Sequence, residues 1–301
     1  MQIPTDVVLG VFIGLSTALL WGISTNVYKS QSEEATPLAI SVVKMWLSGV
    51  FMAFIVLLPF RTEPFYIPLD SIFFLVASVT VGLVVGDLVY LISQEKIGVS
   101  YAFPIANIFP ITTYIFAVFL VGEEIVLLRF VGVIVAIIGV IQISRASAKK
   151  STDEIEIDVS NLGGIALALL AAICWSLGSI FLQIGVTDVN PIDANFIRML
   201  FGSFIMLPLF IGARQQGMPI PNKRSVKIIM FGGFLGMALG SLFYTYTVQL
   251  IGAATASLLG STAPLFALPI SIFGLNEEYT ALSVLGAILT VIGVILVVLA
   301  I

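Results

Sequence analysis

Three ionisable side chains stand where lipid should be: Lys44, Asp87 and Arg198 all lie within long apolar runs. A charge at that depth costs a few kcal/mol unless it snorkels, faces a wet cavity or finds a partner, so each marks a candidate functional site. Lys44 lies about seven residues into its run, roughly 10 Å from the nearer surface at the helical rise, and Arg198 lies at the same depth of a later run. Asp87 is the only acid well inside an apolar run, and its depth matches that of Lys44. A pair between the two would relieve both desolvation costs. Two readings of Asp87 stay open, a static pair that locks two helices and a titrating acid that couples a proton. Catalysis by paired carboxylates lacks its second deep acid.

Histidine is absent from the sequence, which removes the usual proton shuttle, the commonest metal ligand and the Ser-His-Asp arrangement. Cys174 is the sole cysteine, so an internal disulfide and a thiolate metal cage are excluded. The expectation is a protein with no cofactor, no bound metal and no enzymatic reaction.

Uncharged candidates surround these ions. The run Tyr101-Ala-Phe-Pro-Ile-Ala-Asn-Ile-Phe-Pro110 encloses Asn107 between two prolines. Prolines free backbone carbonyls, and in lipid these would be left unpaired, so the broken helix should face protein or a water-filled cavity. A second such run, Leu258-Leu-Gly-Ser-Thr-Ala-Pro264, offers the hydroxyls of Ser261 and Thr262. Simple packing kinks are the alternative. Trp21 and Trp175 sit deep in their runs, either as core packing or as the apolar wall of a cavity. Tyr90 and Tyr244 complete the candidate substrate-binding set.

The elements that position these residues follow from composition. The 301 residues are 59% hydrophobic and only 10% charged, with a mean hydropathy of +1.14. Soluble domains carry roughly 25% charged residues, so this is an integral membrane protein. Apolar runs of about 20 residues predict transmembrane helices and exclude the alternating short strands of a barrel. The first run, from Val7, has no basic residue before it and no cleavage site after it, so it is expected to stay as a span.

Ten spans are predicted, and the chain is an internal duplication. One ungapped shift places Trp175 on Trp21, Pro191 on Pro37, Arg198 on Lys44, Gly236 on Gly82, Gly240 on Gly86, Tyr244 on Tyr90, Gly252 on Gly98 and Pro264 on Pro110. The acid of the first half has no acidic counterpart, because Asp87 falls on Ser241. The boundaries are a first repeat at 1–144, a polar linker at 145–160 and a second repeat at 161–301. Five crossings per repeat turn the second upside down, so the predicted fold is all-α, ten transmembrane helices as two inverted five-helix repeats. Lys29, Lys96, Arg145, Lys149, Lys150, Arg214, Lys223, Arg224 and Lys227 fall in the odd-numbered connections, and Arg61 and Arg129 in the even-numbered ones. The positive-inside rule then puts the odd connections in the cytoplasm and both termini outside. Gly82-xxx-Gly86 and Gly236-xxx-Gly240 promise close helix approach. Glu123-Glu124 and Glu277-Glu278 read as helix starts favoured by the macrodipole.

Several motifs together are similar to a known family. Leu20-Trp-Gly-Ile-Ser24 and Cys174-Trp-Ser-Leu-Gly178, the basic residue in the next span of each half, Pro110 with Gly122-Glu123, Pro264 with Asn276-Glu277, and the tail from Glu278 to Gly293 resemble the EamA-like branch of the drug/metabolite transporter superfamily. The resemblance implies two inverted five-helix repeats around a cavity that opens alternately to each side, small organic solutes as cargo, outward transport often driven by protons, and cytoplasmic termini, opposite to the charge count. The expected function is a secondary transporter, exporting a small organic metabolite such as an amino acid from the cell through the plasma membrane. Its partners would be that solute and the bilayer, with no nucleic acid; a homodimer is compatible. A non-transporting membrane scaffold is the alternative.

Overall fold

A computed structural model describes residues 4–31, 34–58, 64–148, 162–266 and 280–300. Asn276, Glu277, Glu278 and most of the 145–160 linker lie outside the described residues. Nine helices among them are long and apolar enough to cross a membrane. We label them α1 (Thr5–Lys29), α2 (Pro37–Val56), α3 (Leu69–Ile97), α4 (Tyr101–Val121), α5 (Leu127–Ala148), α6 (Leu162–Val186), α7 (Pro191–Gln215), α8 (Lys223–Ser261) and α9 (Ala281–Val298).

Local chemistry sets the starts, and it repeats. Thr36 caps α2 by accepting from Ala39 N, and Asn190 caps α7 by accepting from Ile192 N. Each cap precedes a proline whose missing N–H is harmless in a first turn.

At 39 residues α8 is too long for one crossing, and it breaks at Gly252, where φ is 77° and ψ 161°. Gly98, between α3 and α4, adopts the matching 73° and 159°. Only glycine takes such angles without strain. The chain reverses at both. Gly240 and Gly260 lie on opposite sides of Gly252, yet a Cβ on either would stand 2.8 Å from the ring of Trp21. A straight helix would hold them about 30 Å apart.

Wide π-helical turns interrupt both long helices, at Val79–Gly86 in α3 and Phe234–Gly240 in α8. They contain the Gly-xxx-Gly pairs, and π-bulges concentrate at functional sites. A Cβ on Gly178 would stand 2.6 Å from Gly82 Cα, so α3 and α6 meet backbone to backbone. The seam between α2 and α7 is filled by buried Met45, Met52, Met199 and Met206, with Val79 and Val84 of α3. A third seam joins α5 to α9. There a Cβ on Gly132 would meet Gly293 O at 2.8 Å, and one on Gly286 would meet Gly139 O at 2.6 Å. Each seam joins the first half to the second.

Polar contacts gather the connections into two ends. At one, Ser225 donates to Gln31 at 2.7 Å, Asn222 donates to Glu34 at 2.8 Å, and Gly164 packs on Lys96 and Ile97. At the other, Glu123, Gln183 and Gly252 meet, and Arg129 donates to Ala300 O at 3.3 Å.

Candidate functional site

Two side-chain clusters stand at repeat-related places. In the first, Lys44 Nζ on α2 lies 3.0 Å from Asp87 Oδ2 on α3. Asp87 Oδ1 accepts at 3.0 Å from the indole N–H of Trp175, which comes across from α6. The pair expected from depth is therefore present, with a third partner from the other half. Asp87 follows directly on the π-turn, whose last residue Gly86 makes room for the indole: a Cβ there would stand 2.9 Å from Trp175 Cδ1. Tyr90 and Phe109 flank the same indole at centroid distances of 5.0 and 5.7 Å. Lys44 Nζ also sits 5.7 Å from the centre of the Tyr28 ring. The two ions are 15% and 18% exposed, within reach of water.

The second cluster repeats the frame and changes the chemistry. Trp21 of α1 enters α8 as Trp175 enters α3, but its N–H meets a backbone oxygen, Gly236 O at 3.0 Å. Gly240 makes room for it, a Cβ there standing 2.8 Å from the indole nitrogen. Tyr244 lies 5.3 Å from Trp21 and shares a 2.8 Å hydrogen bond with Ser179. Arg198 of α7 is 4% exposed, and its hydrogen-bond partners among the described residues are neutral oxygens. One terminal nitrogen donates to Thr245 Oγ1 at 3.1 Å, Ser241 Oγ at 3.4 Å and Asn195 Oδ1 at 3.5 Å. Ser241 in turn donates to Asn195 Oδ1 at 2.9 Å. Arg198 Nε and Asn195 Nδ2 are buried with no hydrogen-bond partner among the described residues.

The broken helices lie beside the tryptophans. Asn107 ends the first part of α4 and is 4% exposed, its Nδ2 unpartnered. Pro104 and Pro110 are buried as well, so the interruption faces protein, as the backbone argument requires. Ser261 and Thr262 are buried beside Gly260, which touches the Trp21 ring. Their hydroxyls donate to Leu258 O at 2.7 Å and Leu259 O at 2.6 Å, so each donor is already engaged by its own helix. The expected candidates thus fall into two groups, Lys44, Asp87, Trp175, Tyr90 and Asn107 in one and Trp21, Tyr244, Arg198, Ser261 and Thr262 in the other.

Asn195, Thr245 and Tyr28 escaped the sequence reading. Asn195 stands three positions before Arg198 and Thr245 four after Ser241, spacings that put each on one helix face and offered a usable signal. Glu123 departs from expectation too. It is 17% exposed and pairs with Arg129 at 3.0 Å, so it is no solvated helix start. Burial pushes its carboxyl above the ordinary value of 4.5, and Arg129 and Gln183 oppose that only in part.

A cavity of about 450 Å³ opens at the end of the molecule that holds Gln31 and Ser225. Leu38 of α2, Leu88 and Glu95 of α3, and Gln216 and Met218 just past α7 are among its walls. It reaches Leu88, the neighbour of Asp87.

The EamA-like transporter family model matches residues 8–145 and 162–299, one copy on each half. An uncharacterized transporter of Archaeoglobus fulgidus is 24% identical over 272 residues, covering 90% of this chain and 92% of that one. A second transporter of the same organism is 29% identical over 120 residues, 39% of this chain and 42% of its own length. That match spans less than half of the relative. The uncharacterized transporter YoaV of Bacillus subtilis is 25% identical over 131 residues, 42% of this chain and 41% of that one. A solved crystal structure superposes with a TM-score of 0.75 over 97% of this chain and 98% of that chain, at 17% identity, which shows a shared fold.

Proposed function

The chain belongs to the EamA-like transporter family and is a multi-pass membrane transporter, not an enzyme; from this premise we propose that it exports a small organic metabolite by alternating access. The membrane is the plasma membrane, and the metabolite is of the size and polarity of an amino acid. The two halves are inverted five-helix repeats, ten crossings in all, that rock against each other around a site between the two clusters. Lys44 and Arg198 supply positive charge, Asn107, Ser261 and Thr262 polar atoms, and Trp21, Trp175, Tyr90 and Tyr244 apolar walls. Asp87 couples the cycle to protons, because its protonation releases Lys44.

One observation carries the reading. The tryptophan of each half inserts beside the π-turn of the other, Trp175 at Gly86 and Trp21 at Gly240. Such a reciprocal clasp is what an inverted pair of repeats produces, and it lets the same contacts be made and broken from either end. The count of ten is supported by the reversal at Gly252, which divides α8 in two. Inversion is further supported by the grouping of connections, since α1 begins near Ile251 at one end while α6 begins near Lys96 at the other.

Thiol labelling tests this. In a Cys174→Ser background, cysteines placed at Asn107 and Ser261 should react with a membrane-impermeant reagent added from either side. Reaction from one side only, or from neither, overturns alternating access.

A further inference from the structure

The two clusters share a frame but not a charge balance. Lys44 is neutralised by Asp87 at 3.0 Å, and the matching position beside Arg198 is the uncharged Ser241. Arg198 has no ion-pair partner among the described residues. A buried cation held by neutral oxygens alone recovers only part of its desolvation cost, and an incoming anion would supply the rest. The free donors define that anion. Arg198 Nε and Asn195 Nδ2 are both buried and unpartnered, on one helix and three positions apart. One is an edge N–H of the guanidinium itself and the other an amide N–H beside it, so a planar anion with two oxygens, a carboxylate, can take one oxygen to each.

We propose that Arg198 and Asn195 form a carboxylate-binding subsite, and hence that the cargo is a carboxylate-bearing metabolite which supplies the anion that the second half lacks. Lys44 takes no cargo while Asp87 holds it. The two basic positions thus have different tasks: one holds cargo, and the other is held shut by an internal acid that stands in for it. The inference rests on the transport reading for its meaning, but the subsite can be tested without any transport.

The test uses the purified full-length chain in detergent. Its thermal midpoint is followed while sodium acetate, propionate or butyrate is raised against sodium chloride and sodium sulfate at matched ionic strength. Carboxylates are expected to raise the midpoint saturably above the two controls, since a ligand that binds only the folded state stabilises it by mass action. Arg198→Gln and Asn195→Leu should each weaken the apparent affinity about tenfold or more. Lys227→Gln, which removes an exposed cation, should leave it unchanged. Ser241→Asp keeps Arg198 and gives it an internal carboxylate, so it should abolish the response even if Arg198→Gln fails to fold. The proposal is overturned if carboxylates act no better than chloride or sulfate on the native chain, or equally on the native chain and Ser241→Asp. A chain that shows the carboxylate response but labels from one side only would keep the subsite and lose alternating access. Labelling from both sides with no carboxylate response would do the reverse.

Discussion

Half one closes its charge and half two leaves it open. Around Gly86 the indole of Trp175 and the ammonium of Lys44 converge on the carboxylate of Asp87. Around Gly240 the indole of Trp21 turns to a carbonyl, and the guanidinium of Arg198 is left to Asn195, Ser241 and Thr245. The π-turns, the glycines that admit the indoles and one tyrosine beside each indole, Tyr90 and Tyr244, are matched. A duplicated frame can therefore carry two functions when one acid is exchanged for a hydroxyl. In the closed half the cation is already met by an acid of its own half. The open half is suited to receiving an anion.

Breaking the closed half should have the largest effect. Asp87→Asn strands Lys44 and is expected to destabilise the folded chain by about 3 kcal/mol, since a partly buried cation loses its partner. Lys44→Met together with Asp87→Leu should recover most of that, and thermal unfolding of the single and double variants measures the coupling. A loss in the double variant equal to the sum of the losses in Lys44→Met and Asp87→Leu alone would mean that the pair is not coupled.

Next come the close approaches between the halves. Gly178→Ala would push a Cβ to 2.6 Å from Gly82 Cα, where backbone must give way. The expected loss is about 2 to 3 kcal/mol by overpacking. At the related place a Cβ on Gly236 would meet side-chain atoms in place of backbone, Ser24 Oγ at 2.6 Å, which can rotate away, and Ser24 Cβ at 2.7 Å, which cannot. Gly236→Ala should therefore cost less, about 1 to 2 kcal/mol. The order of the two midpoints is the result to watch, and the reverse order would contradict the packing argument.

Making the open half resemble the closed one should give a smaller change of opposite sign. Ser241→Asp places an acid beside Arg198 and should stabilise the chain by about 1 kcal/mol after desolvation is subtracted. A drop in midpoint would show that Arg198 already has the counter-charge it needs.

The smallest effect concerns Glu123, at the end of the molecule remote from the cavity. Its folded carboxyl titrates above its ordinary value of 4.5, chiefly through burial. The folded chain then holds more protons than the unfolded one across that interval, so the stability contributed by the protonated form is lost as pH rises. Thermal midpoints should fall from pH 4.5 upward until the raised value is passed, then level off. Glu123→Gln should flatten that slope, and an unchanged slope would remove Glu123 from the account.

Much of this was legible in the sequence because the duplication supplies its own control. Trp21 and Trp175, or Gly98 and Gly252, match under one shift, and a pattern seen twice separates design from chance in an apolar chain. Depth counting paired Lys44 with Asp87 correctly because the helical rise is fixed. The sequence could not show that the hydroxyls of Ser261 and Thr262 donate to their own helix, since serine and threonine in lipid satisfy themselves on a nearby carbonyl or reach outward with equal ease. The indole of Trp175 on Asp87 was equally hidden. Nothing in the order of residues says which face of α6 meets α3; the approach of Gly178 to Gly82 and the donation of Ser78 Oγ to Gly178 O at 2.7 Å fix it. Glu123 read as a helix start because its partner Arg129 lies six positions on, across a turn that brings them together.

The most direct test of alternating access is a pair of spin-label distances. One pair, at Glu95 and Gln216, spans the cavity mouth. The other, at Glu124 and Thr187, spans the opposite end. Each pair should show two distances in lipid, and Asp87→Asn, which frees Lys44, should shift their populations in opposite directions. A single distance at both ends, unmoved by Asp87→Asn, would contradict the account.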